Sequence, residues 1–350
     1  MENVKNRNYG IDLLRLVLMF LICLLHVIDH GGILNNVSGL KYYLYFYLYG
    51  VSYCAVDAYA IISGYVSHNR NKNYNRICYL WFQVVFYTFV LSLFFNLIDY
   101  VNGKGFDLNV VINSFLPVLN KDYWYFTAYF PLFFLMPYID RLLESIDKKA
   151  SKELLIIIFM LFSVMSVIVK DNYCSNGLSF LWLFLLYVIG VLIRKIDLFN
   201  NISSSKLIIA FIISTLITII KVPFIASLVN NTSPTVLVSA VLIVIIFSRL
   251  KLKGNIIRKL SPLAFGVYLF HVNPYVYYGW LENRFEYIAD FGIVTGVLQT
   301  LLVSLLIFAL GLLFDFIRFT LFKIINIQKL CNKISDLLEN TLNKLTDIIE

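Results

Sequence analysis

The chain has 350 residues, of which 60% are hydrophobic and only 14% charged, with a formal net charge of +8. An ordinary soluble domain is about 45–50% apolar and about a quarter charged, so this chain has too few charges to cover a water-facing surface. Disorder and a fibrous repeat are excluded as well, because aromatic residues reach 17% and the mean hydropathy is +0.78.

Apolar runs fall near residues 10–28, 44–66, 77–98, 122–138, 154–169, 178–193, 207–221, 235–248, 262–279 and 291–317. A bilayer-spanning helix needs roughly 20 apolar residues, so these runs predict an all-α polytopic membrane protein of about ten transmembrane helices. Barrel strands would alternate polar and apolar residues, and these runs are continuously apolar. The first run is too long for a signal-peptide core and has no small-residue cleavage site, so it is expected to stay as a signal anchor.

Basic residues give an independent test of the count. With both termini placed in the cytoplasm, the inner segments hold 22 Lys and Arg and the outer loops only 6. The outer six are Lys41, Lys104, Lys121, Lys170, Lys221 and Arg284. One helix more or fewer in mid-chain would invert every later segment and erase the contrast. The positive charge therefore orients the chain in a lipid bilayer, and nucleic acid is not needed as a partner to explain it. Two outer loops, near 29–43 and 99–121, are long.

The last 25 residues form a separate unit. Residues 1–325 are the membrane domain, and 326–350 are an amphipathic cytoplasmic tail in which Ile327, Leu330, Ile334, Leu337, Leu338, Leu342, Leu345 and Ile349 recur at helical spacing. A helix lying on the inner membrane surface is expected, with a short homo-oligomerising coil as the alternative. The five cysteines are odd in number and contain no CxxC, so neither a disulfide framework nor a zinc site is expected.

Charged groups inside spanning helices are costly and mark a pathway or a site. The first helix carries Asp12, Arg15 and His26. Arg15 and His26 are eleven residues apart, which brings them back to nearly the same helix face about 16 Å apart along the axis. Asp12 lies one turn before Arg15 and can pair with it. Singly, Arg15 reads equally as snorkelling to lipid phosphates and His26 as a wet interfacial residue; on one face the two suit a working pair. Asp57 stands mid-way along the second run, and His271 falls in the ninth. His26, Asp29 and His30 have the spacing of a metal-binding helix face but no fourth ligand in sight, so no metal is expected. Trp124 and Tyr125 suit an interfacial aromatic belt equally well.

The segment Tyr9 to His26, with its Arg-x10-His spacing, resembles the opening of the bacterial membrane acyltransferase-3 family. Further elements follow in that family's order: Ser63-Gly64-Tyr65, Asp122-Tyr123-Trp124-Tyr125-Phe126, Tyr187-Val188-Ile189-Gly190, and Tyr268-Leu269-Phe270-His271. The resemblance covers about residues 9–320, although Asp57 departs from the apolar or aromatic residue common there.

The resemblance implies O-acylation of a cell-envelope polysaccharide or lipid-linked sugar in the bacterial cytoplasmic membrane, with acetyl the default group. It implies His26 as catalytic base and Arg15 as the cation that holds an acyl-CoA co-substrate, with Trp124 contributing to the donor site. Asp12, Asp57, Tyr125, Tyr187, Tyr268 and His271 are then candidates for a substrate channel, and no permanently bound cofactor is expected. The competing class is a carrier or exporter of a lipid-linked glycan, which would not need a base and a cation at these fixed positions.

Overall fold

The structure, a computed structural model, describes residues 7–67, 74–169, 174–220 and 227–349. The charges Lys5, Arg70, Lys72, Lys170 and Lys221 lie outside the described residues. Among the described residues the chain is helical, with no strand. Thirteen helices organise it: α1 (Tyr9–Ile28), α2 (Gly39–Tyr65), α3 (Asn75–Val101), α4 (Leu108–Asn113), α5 (Trp124–Ser145), α6 (Lys148–Val169), α7 (Phe180–Lys195), α8 (Ser204–Thr218), α9 (Pro234–Ser248), α10 (Asn255–Leu260), α11 (Ala264–His271), α12 (Ile293–Ile324) and α13 (Ile327–Ile349).

Among the described residues each of the ten apolar runs falls mainly on helix, but the helices differ in length. Among the described residues α1, α3, α6 and α12 are long and apolar enough to cross a membrane. Others are shorter or more polar, such as α8 and α9 with 15 residues each. The chain is a helical membrane protein.

α1 lies largely buried within the bundle. Its start is fixed by Asn8, whose side chain accepts from the backbone amides of Gly10 and Ile11 and so satisfies two of the free donors at the helix end. From there α1 packs against α2, α9, α11 and α12. α2 in turn lies against α7, and the two backbones nearly touch. A Cβ on Gly64 would sit 2.0 Å from the Tyr187 carbonyl, and one on Gly190 would sit 2.2 Å from the Ile61 carbonyl. Only glycine permits that approach, which is the small-residue route to helix association in lipid.

One expectation is corrected. The ninth run, 262–279, is not one straight helix: α11 stops at His271, and Asn273 caps a new turn at Pro274, because proline cannot continue the hydrogen-bond ladder. The first half of the tail packs on the bundle. After a turn with Asn326 at φ 53°, α13 folds back on α3, burying Cys331 and Ser335 and bonding through Gln328 and Asn332 to Asn75. Its distal half, including Leu337, Leu345, Ile348 and Ile349, remains exposed.

Candidate active site

Two cavities stand one above the other along α1. The first, about 310 Å³, opens at the Arg15 end and is lined by Arg7, Arg15, Arg76, Ser63, Gln83 and Tyr129 among others. The second, about 470 Å³, surrounds His26 and is lined by Asp29, Asp122, Trp124, Tyr268, Tyr277 and further aromatic residues. Tyr59, Tyr125 and Phe265 border both, so these rings form the wall between them.

At the first cavity Asp12 organises the cations. It is 3% exposed and receives Arg7 Nε at 2.5 Å, Arg15 Nη1 at 3.0 Å and Ser261 Oγ at 3.1 Å. One buried carboxylate thus holds two guanidinium groups at the cavity wall, and Arg76 adds a third. Three guanidinium groups around a pocket of this size suit a phosphate-bearing ligand, because the planar fork binds phosphate oxygens in pairs.

At the second cavity the His26 ring is held from two sides. Its Nδ1 lies 3.1 Å from Nε2 of His271, and Tyr277 packs edge-on against it. His271 is fully buried, with Nδ1 2.6 Å from the Val267 carbonyl. His30 stacks flat on Tyr277 with ring centroids 3.8 Å apart. The start of α5 is tied to α11 by the Tyr123 hydroxyl, which donates to the Leu269 carbonyl and accepts from Asn273 Nδ2. That tie sets Trp124 and Tyr125 against the cavity. The Tyr125 hydroxyl is buried with no hydrogen-bond partner, and that of Tyr268 lies beside the Tyr125 amide without a bond of normal geometry. At the cavity mouth burial raises the carboxyl pKa of Asp29, partly offset by the Tyr49 hydroxyl, and pushes that of Asp122 up to about 6.

Several sequence expectations move. Tyr125 and Tyr268 border the His26 cavity, but Asp12, Asp57, Tyr187 and His271 stand behind the walls. Asp57 is fully buried, its Oδ1 accepting from Trp182 Nε1 at 3.1 Å. Tyr187 donates to Asp140 at 2.6 Å and lies 2.9 Å from Ser67 Oγ, tying α7 to α5 and to the end of α2. Trp124 lines the His26 cavity rather than the arginine cavity.

Residues 8–316 match the family described as an acyltransferase domain. The chain belongs to the acyltransferase-3 family. It is therefore an acyltransferase, and the match takes in every residue that lines the two cavities except Arg7. Searches of curated proteins and of solved structures find no match.

Sequence reasoning missed part of this acyltransferase. Arg7 and Arg76 count only as orienting charges when read along the chain, yet both line the arginine cavity. It also missed Asp315 and Arg318, which are buried in α12 and bonded to each other, to Gln83, to Tyr87 and to Tyr79. The signal was present: Asp315-x-x-Arg318 repeats the Asp12-x-x-Arg15 pattern within an apolar helix.

Proposed function

We propose that this acyltransferase moves a short acyl group, by default acetyl, from acyl-CoA to a hydroxyl of a cell-envelope polysaccharide or lipid-linked sugar. The observation that carries the reading is the pair of cavities along α1, arginines in one and His26 in the other, meeting at Tyr59, Tyr125 and Phe265. We place the chain in the bacterial cytoplasmic membrane with ten spans and both termini cytoplasmic. The asymmetry of Lys and Arg between alternate loops supports that arrangement.

In this reading the phosphates of the coenzyme rest on Arg7, Arg15 and Arg76 on the cytoplasmic side. The extended pantetheine arm then spans the roughly 16 Å between the levels of Arg15 and His26. The acceptor sugar lies among the rings of the His26 cavity, where Trp124, Tyr277 and Tyr278 offer flat apolar faces and Asp29 and Asp122 offer hydrogen-bond partners.

The chemistry balances without a further reactant. His26 removes the acceptor hydroxyl proton as the oxygen attacks the thioester carbonyl carbon. A C–O bond forms, the C–S bond breaks, and the proton on His26 passes to the departing thiolate to give free coenzyme A. A route in which the acyl group first rests on His26 uses the same residues and the same products.

The test incubates purified protein with labelled acetyl-CoA and a panel of envelope glycans. Wild type should transfer label, His26→Ala should lose transfer, and Arg15→Ala should lose donor binding. Neither transfer nor self-acylation in the wild type with any short acyl-CoA would overturn the reading. Unchanged donor binding in Arg15→Ala would remove Arg15 from the donor site.

A further inference from the structure

We infer that His271 is a positioning residue that fixes the tautomer of His26, holding the proton on His26 Nδ1 and leaving the lone pair on Nε2. Its role in turnover rests on the acyl-transfer reading above, whereas the tautomer itself does not.

The inference follows from which atoms can donate. His271 Nδ1 is 2.6 Å from the Val267 carbonyl oxygen. A carbonyl only accepts, so Nδ1 of His271 must carry the hydrogen. The next nearest group to that nitrogen, Cys23 Sγ, is 3.9 Å away and does not compete. In the neutral ring the other nitrogen, Nε2, then holds a lone pair. That atom faces His26 Nδ1 at 3.1 Å, and two nitrogens at this distance need one hydrogen between them. The hydrogen therefore belongs to His26 Nδ1, since the hydrogen bond made by one ring nitrogen decides which of the two is protonated.

The backbone holds the chain of bonds in register. Val267 and His271 share one turn of α11, and a Cβ on Gly311 would stand 2.9 Å from the Val267 Cα, so α11 and α12 are packed backbone to backbone. Beyond His271 the helix is stopped at Asn273, which is tied to Tyr123. The acceptor nitrogen of His271 thus has little freedom to move away from His26.

The arrangement also suits its surroundings. A carboxylate in this position would orient the ring equally well but would bury a negative charge inside the bundle, at considerable desolvation cost. An imidazole anchored by a backbone carbonyl orients His26 while staying neutral. When His26 takes a proton on Nε2, the hydrogen on its Nδ1 strengthens its bond to His271.

Nitrogen-15 spectra of histidine-labelled protein in detergent, without substrate, read the tautomer directly. The chain has four histidines, so a His26→Gln difference spectrum assigns the signal. The wild type should show His26 as the neutral form protonated at Nδ1. His271→Leu should release it, and His271→Gln, whose amide oxygen can occupy the place of Nε2, should restore it. His26 protonated at Nε2 in the wild type would overturn the inference whether or not transfer is seen. In turnover, His271→Leu should lower kcat about 100-fold or more with the KM for acetyl-CoA unchanged, and His271→Gln should recover most of the rate. A shifted tautomer with unchanged kcat would overturn the positioning role. Absence of transfer in the wild type would overturn the acyl-transfer reading and leave the tautomer to the spectrum alone.

Discussion

Asp315 and Arg318 form a closed ion pair inside α12, with Arg318 Nη2 2.6 Å from Asp315 Oδ2 and Nε 3.0 Å from Oδ1. Gln83 and Tyr87 of α3 donate to the same carboxylate, and Gly266 of α11 leaves room for it. Three helices thus converge on one buried charge. Arg318→Leu should strand the carboxylate and cost about 3–5 kcal/mol. Heat inactivation in detergent measures it, and the double change Asp315→Leu/Arg318→Leu should be less harmful than Arg318→Leu alone. An Arg318→Leu protein as stable as wild type would contradict a structural role for the pair.

Asp12 anchors two of the three arginines of the arginine cavity. Asp12→Asn keeps the volume and removes the charge, so Arg7 and Arg15 lose their common hold. Hydrogen bonds to charged groups contribute about 1.5–3 kcal/mol, which corresponds to a rise in KM for acetyl-CoA of about tenfold or more. The expected kcat stays within about twofold of wild type, because His26 is untouched. Initial rates across donor concentrations decide it, and an unchanged KM counts against the anchoring.

Tyr125 separates folding from turnover. Its hydroxyl is buried and unpartnered, so Tyr125→Phe removes no hydrogen bond and relieves a desolvated group. The unfolding temperature should hold or rise. A hydroxyl free at the junction of the two cavities is available to a reacting carbonyl oxygen, so kcat should fall at least tenfold. A lower unfolding temperature with an intact kcat would assign Tyr125 to packing.

Asp122 makes stability depend on pH. Burial raises its carboxyl pKa to about 6, above the ordinary value near 3.8 that it regains on unfolding. Between those values the folded chain keeps a proton that the unfolded chain has released, so this group's contribution to stability falls as pH rises from about 4 to about 6. Asp122→Asn should therefore raise the unfolding temperature relative to wild type at pH 8 and leave it nearly unchanged at pH 4. An equal shift at both values would exclude this cause.

Some of the site can be read along the chain, and the reason is helical periodicity. Asp12, Arg15 and His26 share one helix, so spacing alone predicts that a cation and an imidazole occupy two levels of one face. The structure adds the cavities at those levels. What spacing cannot supply is contact between distant segments. His271 is 245 residues from His26, and nothing local distinguishes a histidine that orients another from one that merely packs. Tyr187-x-x-Gly190 misleads for a related reason: its glycine marks a backbone crossing with α2, and its tyrosine serves Asp140 rather than a channel. Arg318 escapes notice because basic residues near helix ends are read as orientation signals, whereas burial against Asp315 shows what this one does.

The shared wall between the cavities bears on a demand that soluble enzymes never meet. With the chain set across the bilayer as proposed, a coenzyme enters from one compartment and a sugar from the other, and an open passage would short-circuit the membrane potential. Tyr59, Tyr125 and Phe265 occupy the meeting point. On the proposed path these bulky rings would have to admit a slender thioester arm while turning back hydrated ions, which cannot shed their water against such surfaces cheaply. In that reading the wall that separates the two ligands also insulates the membrane.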